Sequence, residues 1–276
     1  MKIAVHQMCS GIDPAANAKA ITSAIAEAAD GNAAFYFAPE MSVLLDRDRS
    51  RAKSNITAEL DSAALRIIQQ ATAAANIWVH LGSMPVVSEN DRTRFANRSL
   101  VIDCKGIVRA RYDKIHLFDV SLASGEHWRE SSVYAPGLHP SVVDTPLGLI
   151  GLTICYDIRF ANLYAVLVNA GARLLAVPAA FTVPTGKAHW HTLLRARAID
   201  AQAFVIAAAQ SGRHEDGRET YGHSLVVDPW GEVLLDMGSG EGLGFADLNL
   251  ARVEEVRAEI PVRTNGRDIS CDVKRY

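Results

Sequence analysis

Short apolar runs, among them "KIAVHQ", "AAFYFAPE", "NIWVHLGSMPVV", "ARLLAVPAAF" and "AFVIAAAQ", alternate along this chain with longer segments of helical period. That alternation confines the chain to the α/β class, with helices laid on sheets. The first strand leads into "DPAANAKAITSAIAEAADG", where Asp13 is placed to cap a helix, Pro14 to open it and Gly31 to end it, with Ile21 and Ile25 on one face. Further helices are predicted around residues 57–75, over 160–170, over "AHWHTLLRARAIDAQ" and near 249–259. "NRSLVIDCKGIVRARYDK" reads as a hairpin turning at Cys104-Lys105-Gly106, and "DTPLGLIGLTI" holds a second. A third, "HSLVVDPWGEVLLDM", turns at Pro229-Trp230-Gly231 and is followed by the short strand "GFADLNL". Hairpins within such a chain predict mixed sheets rather than a purely parallel Rossmann sheet. With no linker-like shift in composition and no internal repeat, one domain is expected over 1–260, with a short tail over 261–276.

A chain of 276 residues suffices for a large core, and its net charge of −3 offers no general attraction to nucleic acid or anionic lipid. The basic residues Arg47, Arg49, Arg51 and Lys53 are interleaved with acids and read as a solvated face. No apolar stretch approaches the roughly 20 residues that span a bilayer, and "MKIAVHQM" lacks the apolar core and cleavage site of a signal peptide. Four scattered cysteines, Cys9, Cys104, Cys155 and Cys271, form no CxxC pair and no disulfide framework, so a reducing, cytoplasmic setting is expected.

Ligands of open α/β sheets sit at the carboxyl ends of strands, and three reactive side chains fall there. Glu40 closes "AAFYFAPE", where burial that raises its pKa would make it a general base. Lys114 ends "IVRARYDK" and offers an ammonium to a developing oxyanion. Cys155 follows "GLIGLTI" at a strand-to-helix turn, where a helix dipole and a nearby lysine would favour the thiolate. Singly, these residues have ordinary readings, a buried cysteine and two surface charges; their coincidence points to a nucleophile with its helpers. Arg159, four residues after Cys155, either shares a helix face with it and clamps a substrate carboxylate, or pairs with Asp157. His189 and His191 are two apart on a helical segment and so face different ways; without HExxH or Cys/His spacing, no metal site is expected.

At these residues the chain resembles the carbon–nitrogen hydrolase (nitrilase) superfamily, over roughly residues 2–268. The Glu motif corresponds to "FAPE" and Glu40, the Lys motif to "RYDKIHLFDV" and Lys114, and the nucleophile motif to "GLTICYDIRF" and Cys155. A second glutamate of the family matches Glu130 in "HWRESSVYAPG", with Glu126 nearby as the alternative. The stretch "AAAQSGRH" followed by "YGHSLVVDPWG" is similar to the deaminated glutathione amidases more than to the ω-amidases. The resemblance implies a four-layer αββα sandwich with mixed sheets, assembled as a homodimer. It also implies a metal- and cofactor-free amidase acting on a small amide that carries a carboxylate. In that reading Cys155 attacks the amide carbonyl, and Lys114 with a backbone N–H near Tyr156 holds the oxyanion. Glu40 shuttles the protons through a thioester, and Arg159, Phe181 and Thr185 line the substrate pocket. "RFAN" stands where the family commonly has Arg-Phe-Pro-Glu, so Ala161 and Asn162 alter the helix after the nucleophile, and "PAAF" replaces the commoner Pro-Ser-Ala-Phe; neither departure touches the triad, and both are expected to border the pocket. ω-Amidase activity on 2-oxoglutaramate or succinamate is the alternative within enzymes. An inactive scaffold or binding subunit would show the loss of one of Glu40, Lys114 and Cys155, and all three are present.

Overall fold

In strand β1 (Lys2–Gln7), Ile3 and Val5 join one buried cluster and Ala4 another, because successive side chains leave a strand on opposite faces. Both faces of this strand are dry, so each must be covered by a further layer. The computed structural model describes residues 1–121, 125, 127–267, 272, 274 and 275.

Helix α1 (Pro14–Asp30) follows, with the Asp13 carboxylate accepting from the Ala15 N–H at 2.9 Å, Pro14 at its start and Gly31 at its end, as the sequence predicts. Next come β2 (Phe35–Phe37), α2 (Arg49–Asn55), α3 (Ala63–Ala75), β3 (Trp78–His80) and β4 (Met84–Val87). The predicted hairpin at Cys104-Lys105-Gly106 joins β5 (Phe95–Ile102) to β6 (Val108–Asp113), and a small pair, β7 (Asp119–Ser121) and β8 (His127–Arg129), follows. The second half runs β9 (Ser141–Val143), β10 (Ile150–Leu152), α4 (Ala161–Asn169), β11 (Leu174–Ala176), α5 (Val183–Ala201) and β12 (Phe204–Ala207). It closes with β13 (Ser211–Arg213), β14 (Glu219–Tyr221), β15 (Leu225–Val227), β16 (Val233–Asp236), β17 (Gly242–Asp247), α6 (Arg252–Glu259) and α7 (Val262–Asn265).

The strands build two mixed sheets of similar plan. A seven-stranded sheet runs β17-β1-β2-β3-β5-β4 with β6 also on β5, and a six-stranded sheet runs β16-β15-β12-β11-β10-β9. Each has a parallel triplet at its centre, β1–β2–β3 and β10–β11–β12, flanked by antiparallel strands. Phe35, Phe37 and Val101 of the first sheet share one buried cluster with Ile150, Leu152, Leu174 and Ile206, which lie on one face of the second, so the sheets pack face to face. Ile21 and Ile25 of α1 and Ile68 of α3 cover the outer face of the first sheet against Tyr36, Val79 and Leu100. Leu163 and Leu167 of α4 and Trp190, Leu194 and Ala198 of α5 join the cluster of the second. The result is the expected αββα order of layers.

The differences from expectation lie in short elements. Residues 49–55, read as a solvated face, are helical because the Asp48 carboxylate accepts from the N–H groups of Ser50 and Arg51; the face is solvated all the same, since Ala52 is its one buried residue. The helix predicted near 57–75 begins at Ala63, where Ser62 caps it, after a 3₁₀ turn over Glu59–Asp61. Two hairpins, β7–β8 and β13–β14, form in segments with too few apolar residues to announce a strand. Among the described residues no helix is long and apolar enough to cross a membrane.

Candidate active site

The two parallel triplets end at the same place. Glu40 lies just beyond β2, Lys114 directly after β6, Cys155 just beyond β10 and Ala180 beyond β11. Lys114 is 2 % exposed and Glu40 5 %, and the Lys114 ammonium donates to Glu40 Oε1 at 2.8 Å. The same ammonium lies 3.0 Å from Glu130 Oε2. Burial lowers the Lys114 pKa, but the Glu130 and Glu40 carboxylates outweigh it and hold the lysine charged, its pKa well above the usual value. Glu40 Oε2 accepts from the Ala180 backbone N–H at 2.9 Å, which ties the first sheet's carboxylate to the second sheet. Glu130 Oε2 accepts from the Phe118 N–H at 2.6 Å. Glu126, the alternative to Glu130, lies outside the described residues.

Cys155 opens a five-residue 3₁₀ turn, Cys155–Arg159, with φ of 49°. A non-glycine residue in the left-handed region is strained by about 1–3 kcal/mol, and such strain gathers where a side chain has to be aimed. The Cys155 N–H is held by Pro178 O at 2.9 Å, and the Glu40 carboxylate and the Ala180 N–H both bear on the ionisation of the thiol. Among the described residues the next N–H, that of Tyr156, has no hydrogen-bond partner. The expectation of a dipole-stabilised thiolate is corrected here: burial first, then the Glu40 charge, push the thiol pKa well above its ordinary value, and Lys114 only partly opposes them. A single 3₁₀ turn carries too little dipole to compensate. The resting group is therefore a thiol, which needs a base to react, and the Glu40 carboxylate is the acid group that bears on its ionisation.

Above Lys114, Glu40 and Glu130 opens a cleft of about 420 Å³. Its walls include Leu44, Phe95, Phe118 and Trp128, and its cations are Arg47, Arg49, Arg129 and Arg218. Arg218 is braced by Asp216 at 2.8 Å and lies over the Trp128 ring at 5.4 Å, while Arg49 donates to Ser132. Among the described residues Arg47 enters no ion pair. Arg159 stands elsewhere: it lies over the Tyr156 and Phe181 rings at 5.9 and 5.6 Å, with Nη2 3.3 Å from His189 Nδ1, and makes no pair with Asp157. Tyr156 packs edge-on against Phe118, a cleft residue. Phe181 turns inward onto Trp190 with 4.7 Å between ring centroids, and the Thr185 hydroxyl bonds that of Thr182 in the cleft wall. Ala161 and Asn162 are exposed on the first turn of α4 and take no part in the cleft lining.

Residues 2–258 match the carbon–nitrogen hydrolase family. The chain belongs to that family. A deaminated glutathione amidase of Yersinia enterocolitica is 36 % identical over 274 residues, 99 % of this chain and 95 % of that one. The crystal structure of the Caenorhabditis elegans NitFhit protein superposes with a TM-score of 0.89 at 37 % identity; the match covers 96 % of this chain and 65 % of that longer one. An amidase from Nesterenkonia sp. AN1, whose structure shows Michael addition of acrylamide at its active-site cysteine, matches with a TM-score of 0.78 and 25 % identity over 96 % of this chain and 99 % of that one. The fold of this carbon–nitrogen hydrolase is thus the nitrilase type with mixed sheets.

Two groups of supporting residues in this family member went unread in the sequence. Asn97, on β5, donates from Nδ2 to Glu40 Oε1 at 2.9 Å and reaches Glu130 Oε1 at 3.4 Å, while its Oδ1 is buried with no partner among the described residues. Asp157, fully buried, accepts from the Ile154 N–H at 2.8 Å, the Tyr112 hydroxyl at 2.7 Å and the His116 backbone N–H at 3.1 Å, and lies 2.7 Å from His116 Nδ1. It fastens the Cys155 turn to the segment carrying Lys114. The signal for Asp157, Tyr112 and His116 was their place inside "RYDKIH" and "CYDIR"; Asn97 had none, because a polar residue in a strand reads as surface.

Proposed function

We propose that this chain is a cysteine-dependent amidase that hydrolyses the amide bond of a small substrate bearing carboxylates, with deaminated glutathione as the substrate class. The observation that carries the reading is the buried Lys114 ammonium, shared by Glu40 and Glu130 beside a neutral Cys155 thiol. In this mechanism Glu40 takes the thiol proton as Cys155 Sγ attacks the amide carbon. The oxyanion draws its stabilisation from the Lys114 ammonium and the unpaired Tyr156 N–H. Glu40 then gives the proton to the departing amine, leaving a thioester on Cys155. Water attacks the thioester with Glu40 again as base, and the released acid restores the thiol.

The substrate class draws on the cleft. Its volume lies within the roughly 300–1,000 Å³ of small-molecule sites. Four arginines around it suit a ligand with a carboxylate distant from the scissile bond, which deaminated glutathione has at its glycine end. The name of the Yersinia enterocolitica relative supports the same class. The test is 2-oxoglutarate release from deaminated glutathione and from 2-oxoglutaramate in parallel, with Cys155→Ala as control. Preferential, Cys155-dependent release from deaminated glutathione is expected. Preference for 2-oxoglutaramate would move the enzyme to ω-amidase chemistry, and no release from either would end the substrate reading.

A further inference from the structure

Outside the cleft, three segments bring ligand-type side chains to one point. His191 lies on α5, His223 between β14 and β15, and Asp236 ends β16. Their donor atoms all lie within 4.8 Å of one another. Asp236 serves both rings, with Oδ2 2.9 Å from His191 Nε2 and Oδ1 2.9 Å from His223 Nδ1. Two ligand atoms about 2.1 Å from one small cation are about 2.9–3.4 Å apart for angles between a right angle and the tetrahedral one. The two spacings run to different oxygens of Asp236, so an ion set between the rings would take the carboxylate through both oxygens in place of the two hydrogen bonds.

The rings are also held in place. His223 has φ of 54°, its N–H donates to Gly238 O at 2.6 Å, and its carbonyl accepts from Trp190 Nε1 at 2.8 Å. The Tyr221 ring stacks on its imidazole at 4.4 Å, and the His191 ring meets it edge-on at 5.0 Å. A strained backbone fixed from both sides, with a stacked ring, leaves His223 little freedom to lose on binding a ligand. All three side chains keep partial solvent access, His223 least at 26 %.

We propose that His191, His223 and Asp236 form a binding site for one late first-row divalent cation, of which Zn²⁺ is the type. Two imidazoles and one carboxylate favour such an ion over Mg²⁺ or Ca²⁺, which prefer oxygen donors throughout. Water completes the coordination. On binding, each neutral ring carries its proton on the nitrogen turned away from the ion. The ion has a bracing role. It joins α5 to the β14–β15 turn and to β16, while Thr182 just before α5 bridges Thr220 of β14, both in the cleft wall. Sequence spacing misses this site because its donors come from three separated segments, and His189, the neighbour considered with His191, turns to Arg159 instead.

The test uses full-length Cys155→Ser protein, which removes the buried thiol as a competing ligand, titrated calorimetrically with Zn²⁺ and, for its visible absorption, with Co²⁺. One ion per chain is expected, with a rise in Tm on Zn²⁺ addition. His191→Ala and Asp236→Asn, each added to that background, are expected to weaken Zn²⁺ binding by at least the roughly 10–100-fold seen for loss of supporting ligand contacts. Circular dichroism of both variants checks that they fold. Absence of stoichiometric binding would overturn the proposal, leaving the three residues as a hydrogen-bonded cluster. So would Zn²⁺ binding of unchanged affinity in folded His191→Ala and Asp236→Asn proteins, which would trace the ion to other groups such as Cys9 and His214. Mg²⁺ bound as tightly as Zn²⁺ would overturn the class of ion.

Discussion

The floor and the rim of the cleft are built on opposite plans. On the floor, Glu40, Lys114, Glu130 and Asn97 are buried or nearly so and bonded to one another and to backbone. On the rim, Arg47, Arg49 and Arg129 are exposed, Arg218 is partly so, and their anchors are few. A charge buried without its partners costs several kcal/mol, so the floor holds only as a complete set. A rim arginine in water costs little and adapts to what arrives. The floor should therefore govern kcat and the rim KM, and each of the following measurements tries that division.

Lys114→Ala removes the oxyanion donor and strands two buried carboxylates, so kcat should fall by at least about 10²–10³-fold. A variant with normal kcat would undo the floor's assigned role. Asp157→Asn leaves volume unchanged but loosens the tie between the Cys155 turn and His116. Since misplacement by about 1 Å costs about 10²-fold, a fall approaching that in kcat with little change in KM is expected from steady-state kinetics. Arg218→Ala should raise KM for deaminated glutathione about tenfold, the equivalent of about 1.4 kcal/mol, with kcat nearly constant. A drop in kcat instead would merge rim with floor.

Asn162→Glu places a carboxylate on the first turn of α4, which now has no acidic residue there. It should stabilise the fold by about 0.3–1 kcal/mol in a denaturant titration and leave kinetics unaltered, since Asn162 belongs to neither region. The smallest expected change is none at all. Because the Cys155 pKa is raised above 9.0, thiolate absorbance of wild type minus Cys155→Ala should show no ionisation step below that pH. The sign for stability follows: the native state favours the thiol, a contribution whole below the ordinary value and lost as pH climbs through the raised one.

Glu40 and Lys114 were legible before any coordinates because chemistry restricts such groups to few residue types at strand ends, whereas Glu130 came only through the family resemblance. The α/β class with mixed sheets was legible in the short apolar runs and hairpins, while the αββα order of layers came through the family resemblance. The rim was not. Arg218 belongs to β13–β14, a hairpin whose "SGRHEDGRETY" has no apolar rhythm, and it meets Arg47 in the cleft only through tertiary folding. Arg159 drew attention by sequence proximity to Cys155, and where its side chain would go, over the Tyr156 and Phe181 rings, depends on the fold around it. Asn97 illustrates the general limit: whether a polar strand residue faces water or two carboxylates depends on what the rest of the chain brings to it.

The groups of the proposed reaction are divided between the two sheets, with Glu40 and Lys114 on the first and Cys155 and Ala180 on the second. During synthesis the base and the cation leave the ribosome well before the nucleophile. A nascent chain that has released Glu40 and Lys114 still lacks Cys155, and a Cys155 without the first sheet has no Glu40 carboxylate to act on it. On the proposed mechanism, reactivity toward amides requires both sheets in place, so an unfinished chain lacks it.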